Sequence, residues 1–143
     1  MAPEAPHPFM ERGIAGPQEH EAYDCLCRGR ELLEVGRAAE AIVPLERARE
    51  LEPRRGSVLE ALGRAYYNNR MAGKAKRLFE EALEVDPTNA FARYALALCL
   101  WIDGERITAV GQLRLAVAME PGCALYVEEL ERRERMAQQG TGA

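Results

Sequence analysis

The 143-residue chain is poor in the side chains that most often carry chemistry. Serine occurs once, at Ser57, and histidine twice, at His7 and His20, both in or beside the proline-rich start of the chain. No core histidine is therefore available to activate the one serine hydroxyl. The sequence holds no HExxH, GxSxG or GxxxxGK[ST] pattern, so neither catalysis nor a cofactor is expected. Of nineteen basic residues only Lys74 and Lys76 are lysine, and twenty-three acidic residues outweigh them to a net charge of −4. An acidic chain disfavours nucleic acid as a partner. No apolar run approaches the ~20 residues of a membrane span, so no membrane association is expected. The first residues lack the charged and apolar regions of a signal peptide. The four cysteines, Cys25, Cys27, Cys99 and Cys123, form no CxxC pair. Reduced thiols in a cytoplasmic protein are expected, with no disulfide framework and no zinc site.

What the chain does have is a period. Pro53, Pro87 and Pro121 stand 34 residues apart. Each closes the same arrangement of small and apolar residues. The second unit reads Leu59, Leu62, Gly63 and Tyr66, then Ala75, Phe79 and Ala82 before Pro87. The first reads Cys25, Arg28, Gly29 and Leu32, then Ala41, Leu45 and Ala48. The third reads Arg93, Leu96, Ala97 and Leu100, then Ala109, Leu113 and Ala116. Leu59, Leu62, Gly63 and Tyr66 fall at i, i+3, i+4 and i+7, one face of a helix. Ala75, Phe79 and Ala82 form the matching face of a second helix. Small residues facing large ones allow two helices to interdigitate. Gly36 and Gly104 sit where a helix end takes the left-handed conformation. Unit two has Arg70 there, so its turn is expected to use Asn68, Asn69 or Gly73. Each proline ends a second helix by pushing the preceding residue out of the α region.

Three units in phase resemble the tetratricopeptide repeat, whose period is 34 residues. The resemblance covers residues 20–121 and implies an all-α superhelix (a TPR solenoid) of three antiparallel helix pairs with a C-terminal cap helix. The expected organisation is an extended or disordered arm over 1–18 and one domain over 19–138. Its repeats fall at about 22–55, 56–89 and 90–123, its cap helix at about 123–138, and a disordered tail at 139–143. The cap should dock through Val127 and Leu130 and show a charged back, with Glu128–Arg132 and Glu131–Arg135 pairs. Three residues fit poorly. Arg28 and Arg93 stand at usually apolar positions, Arg93 with its stem packed flat and its head in solvent. Pro44 lies inside a helix and should bend it locally.

The resemblance also places a stripe of residues from each first helix on the hollow side of the superhelix, where this family holds protein and peptide partners. Unit one offers Tyr23, Leu26, Arg30, Leu33 and Glu34. Unit two offers Ser57, Glu60, Arg64, Tyr67 and Asn68. Unit three offers Phe91, Tyr94, Leu98, Trp101 and Ile102. The apolar side of unit three implies a covered surface, with apolar anchors near Trp101 and acidic groups of a partner near Arg30 and Arg64. The function this implies is a protein-interaction module or adaptor. A self-associating scaffold subunit and cover of the groove by the arm, through Phe9, Met10 and Ile14, are the alternatives. A small chaperone of secreted proteins is a minor one. The clamp by which some members hold chaperone C-termini needs Lys and Asn at Leu26 and Arg30, Asn at Ala61, and Lys and Arg at Phe91 and Ala95. That clamp is not expected here.

Overall fold

The computed structural model describes residues 16–141, so residues 1–15 of the arm expected over 1–18 lie outside the described residues. Among the described residues seven helices follow one another: α1 (Pro17–Glu34), α2 (Ala38–Leu51), α3 (Gly56–Asn68), α4 (Ala72–Val85), α5 (Ala90–Ile102), α6 (Arg106–Met119) and α7 (Ala124–Thr141). No strand occurs among the described residues. The boundaries differ from expectation at both ends. Helix α1 begins at Pro17, because a proline at the first helical position needs no backbone donor. Helix α7 continues through residues 139–141, which were expected to be frayed.

Helices α1, α3 and α5 each pack antiparallel on the helix after them, each pair packs on the next, and α7 packs on α6. Successive first helices, α1 with α3 and α3 with α5, also touch. The contact within each pair is made by one large side chain over one small one. Leu45 of α2 lies over Gly29 of α1, and Phe79 of α4 lies over Gly63 of α3. A Cβ on Gly63 would stand 2.6 and 2.8 Å from two atoms of the Phe79 ring. In the third pair the same positions carry Leu113 and Ala97, both buried. Ala41, Ala48, Ala75, Ala82, Ala109 and Ala116 are each wholly buried, two per second helix and seven residues apart. Neighbouring helices approach closest where these side chains stop at Cβ.

The three hairpin turns share one hydrogen-bond pattern. Gly36 donates to Leu33 O and Arg37 to Leu32 O; Gly104 donates to Trp101 O and Glu105 to Leu100 O. Arg70 donates to Tyr67 O and Met71 to Tyr66 O in the same way. This is the paired closure of a helix end, with a left-handed residue just past the cap. Arg70 itself takes that conformation, at φ 61°, like Gly36 at 79° and Gly104 at 85°. The turn of unit two thus keeps the position and accepts a strained residue, rather than moving to Asn68, Asn69 or Gly73.

The other misfits resolve differently. Arg28 is exposed. The Arg93 head is not in open solvent. Its guanidinium donates to Gln112 Oε1 and to the Pro87 carbonyl, each at 3.1 Å, while its Nε is buried without a partner. Helix α2 runs through Pro44 without interruption. Ties between pairs reinforce the stack. Arg49 of α2 meets Glu81 of α4 at 2.8 Å, and Lys76 of α4 reaches Asp103 and Glu105 of the next turn.

The cap helix docks through Tyr126, 5% exposed, together with the expected Leu130, which is half-buried against the core. Tyr126 stacks on Tyr94 of α5 at 5.2 Å. Glu129 is buried too, held by Arg133 at 2.6 Å and Arg132 at 3.4 Å. The ion pairs of α7 are therefore centred on Glu129, with Arg114 of α6 joining Glu134, in place of the expected 128–132 and 131–135 pairs.

Candidate functional site

The first helices α1, α3 and α5 line the groove, and the expected stripe covers two faces of each, one toward the groove and one toward the next first helix. The expected stripe divides between them. Residues at the register of Tyr23, Ser57 and Phe91 look into the groove, with Arg30, Arg64 and Leu98 one to two turns on. Residues at the register of Leu26, Glu60 and Tyr94, and again of Leu33, Tyr67 and Trp101, turn toward the next first helix. Leu26 and Leu33 are thereby packed against the second pair and buried, at 1% and 7% exposure. They are core residues, which corrects their expected place in the groove. Glu60 accepts a hydrogen bond from Asn89 Nδ2 at the start of α5. Asn89 Oδ1 also caps that helix by accepting from Ala92 N at 3.0 Å.

Trp101 obeys the same rule. Its neighbour in the next position is α7, and its ring lies between the guanidiniums of Arg106 and Arg133, each 4.9 Å from the centroid. It pins the cap and does not line the groove cavity. Tyr23 is 54% exposed on α1 and lines neither hollow described below.

The remaining expected residues come together. Arg64, Tyr67, Asn68, Phe91, Tyr94 and Leu98 line a cavity of about 300 Å³, completed by Phe79, Ala95 and Leu125. Its rings pack in sequence, with Phe79 edge-on to Phe91 at 6.4 Å and Phe91 tilted against Tyr94 at 6.1 Å. Burial pushes the Tyr67 and Tyr94 phenols above their ordinary range, so both stay neutral at physiological pH. Beside the cavity lies a shallower depression of about 170 Å³ formed by Arg30, Ser57, Glu60, Ala61, Arg64 and Phe91. Arg64 and Phe91 belong to both hollows. Arg30 and Arg64 are exposed, and neither meets a carboxylate among the described residues. The arrangement offers an apolar recess for one large side chain and two guanidiniums for an anion next to it.

Sequence reasoning missed Leu125 and the buried role of Glu129. The signal was present: the 34-residue period carried one step past Pro121 puts Leu125 at the register of Phe91, and Tyr126 at that of the buried Ala92. Helix α7 is thus a fourth first helix, and it supplies the far wall of the cavity.

A stack of helix hairpins with hollows along its first helices defines an α-solenoid. The particular repeat is the tetratricopeptide repeat: its family model matches residues 56–89, and the fold is that of tetratricopeptide-repeat domains. Comparison with curated proteins finds no match. Among solved structures, the chain is similar to the Sgt2 TPR domain from Aspergillus fumigatus, at 19% identity and TM-score 0.80, over 91% of this chain and 85% of that one. It is similar to the first TPR of Spaghetti (RPAP3) bound to the HSP90 peptide SRMEEVD, at 14% identity and TM-score 0.78, over 83% and 94%. It is also similar to the second TPR domain of human RPAP3 in complex with the HSP70 peptide SGPTIEEVD, at 18% identity and TM-score 0.76, over 82% and 98%. Among the described residues no helix is long and apolar enough to cross a membrane, and no group of three or more His, Cys, Asp or Glu could hold a metal ion.

Proposed function

We propose that this protein is a non-catalytic adaptor that holds a segment of another protein in its concave groove. The observation that carries the reading is the apolar cavity between α3, α5 and α7, which is open to the groove and flanked by Arg64. A cavity of about 300 Å³ is large enough for one bulky apolar side chain. Two similar folds hold peptides, and this supports a peptide or protein partner for the present groove. The positions at which a chaperone C-terminal clamp needs Lys, Asn and Arg are here filled by the buried Leu26, Ala61 and Ala95, by Phe91 and by Arg30. The partner is accordingly of another kind. Three half-buried thiols, Cys25, Cys27 and Cys123, remain unbridged, which supports a reducing compartment such as the cytoplasm.

A Leu98→Arg variant places a charge in the cavity without touching the helix contacts at Gly63 and Gly29. It should keep the helical content of the wild type and lose captured partners when both proteins are used as bait in parallel. A folded Leu98→Arg protein that captures the same proteins in the same amounts would refute the groove as the site.

A further inference from the structure

The two hollows of the groove share a wall, and this relation constrains the partner more closely than either does alone. The following rests on the groove reading above. Phe91 closes the apolar cavity on one side and floors the arginine depression on the other, and Arg64 borders both. Whatever fills the cavity therefore brings its neighbouring residues directly over Arg30 and Arg64.

The charge in the depression is countable. Arg30 and Arg64 contribute two positive groups and Glu60 one negative group. Glu60 is already bonded to Asn89, which fixes it as part of the wall. One positive charge is left over, in a chain whose net charge is −4. The remaining lining, Ser57, Ala61 and Phe91, carries no charge that could balance it. A guanidinium beside an apolar wall favours a carboxylate, which it can hold through two parallel hydrogen bonds. Two carboxylates would have Glu60 as a third beside them, and like charges at that range repel.

We infer that the groove's occupant is an internal segment of a partner protein carrying one acidic side chain within about one to three residues of a large apolar side chain. The apolar side chain enters the cavity lined by Tyr67, Phe91, Tyr94, Leu98 and Leu125. The acidic side chain lies on Arg30 and Arg64. A side-chain carboxylate reaches into the depression while the main chain passes above it. Capture of a chain terminus would add its own carboxylate beside the acidic side chain, and the depression has one uncompensated positive charge.

The test is a peptide-display selection on the full chain with two random libraries, one with the peptides flanked on both sides and one with a free C-terminus. Wild type should enrich flanked peptides with a single Asp or Glu close to Leu, Met, Phe or Trp. Synthetic copies with blocked ends should bind roughly tenfold or more tightly than their Gln or Asn versions. Arg30→Glu/Arg64→Glu should reverse the preference toward Lys or Arg at that place. Enrichment without an acidic preference, or enrichment confined to free C-termini, overturns this inference while leaving the groove in place if Leu98→Arg abolishes it. Enrichment untouched by Leu98→Arg, or none above a bead control, overturns the groove reading too. A wild-type dimer that Leu98→Arg dissociates, or enrichment that requires removal of residues 1–15, assigns the groove to a second copy or to the chain's own start and overturns the inference.

Discussion

Gly63 offers the sharpest test of the packing. Replacing a helical glycine by alanine ordinarily stabilises a helix by about 1 kcal/mol, because the unfolded chain has less freedom to lose. At Gly63 the new Cβ would stand 2.6 and 2.8 Å from the Phe79 ring, where carbon atoms normally rest about 3.5–4.0 Å apart. Phe79 is 1% exposed and has Phe91 at its edge, so the ring can give way only by shifting toward the groove cavity that it lines. Overpacking of this kind costs about 1–3 kcal/mol, which cancels the helix gain and leaves a loss of up to about 2 kcal/mol. Gly111 is the internal control. It lies inside α6, and a Cβ there meets nothing within 4 Å. Gly111→Ala should raise the melting temperature by about 2–4 °C, and Gly63→Ala should lower it. Circular dichroism at 222 nm over a thermal ramp, repeated in urea, reads both. The third pair supplies the rescue, because it already combines alanine with leucine at Ala97 and Leu113. Gly63→Ala/Phe79→Leu should lose less stability than the two single changes added together. If Gly63→Ala stabilises as much as Gly111→Ala, the ring does not sit over this glycine and the reasoning fails.

Arg70 occupies a left-handed position at little benefit, so Arg70→Gly should raise stability by about 0.5–1 kcal/mol in urea melts; a loss would show that Arg70 makes a contact worth more than its strain. Burial raises the Cys99 thiol to about 12, and its side chain is fully enclosed. It should stay unlabelled by a thiol reagent at pH 8 in the folded protein, while Cys25, Cys27 and Cys123 react; fast labelling of Cys99 would mean that α5 opens readily. Burial likewise pushes the Tyr66 and Tyr126 phenols up from 10.0 to about 12, helped at Tyr66 by its bond to Glu46. Their folded-state values lie above the unfolded ones, so their contribution is complete below pH 10 and is lost as pH rises toward about 12. The urea midpoint should fall between pH 9 and 11 in wild type and fall less in Tyr66→Phe/Tyr126→Phe, and equal slopes would contradict the assignment. Arg133→Met removes both a face of the Trp101 stack and the main partner of buried Glu129. It should shift Trp101 emission to the red and cost about 1–3 kcal/mol, part of which Glu129→Gln should restore; unchanged emission would mean that the cap is held elsewhere.

The period made the hairpins and their core legible because close packing leaves a repeating trace. Gly29, Gly63 and Ala97 had to be small for Leu45, Phe79 and Leu113 to fit, so both members of each contact recur at one interval. The same interval could not by itself divide the exposed stripe. Leu26, Leu33 and Trp101 share a helical face with groove residues, and their fate depends on which helix lies next to them. That is a property of the stack, not of a unit. Arg70 was misread because glycine is only the common occupant of a left-handed turn position. The hydrogen bonds of the hairpin hold the conformation whichever residue is there. Leu125 was overlooked because the last proline looks like the end of the pattern, although the pattern continues for one more helix.

Because α7 supplies Leu125 to one wall of the cavity and Tyr126 to its support, the order in which the protein is made matters to what it can hold. Synthesis delivers the hairpins in chain order and α7 last. At the stage when α1 to α6 have emerged, Arg30 and Arg64 are already displayed, while the recess beside them still lacks a side. On the proposed reading, an unfinished chain would offer its charge to an acidic segment before it could grip the apolar residue next to it. The proposed grip on a partner would be complete only with the arrival of the seventh helix.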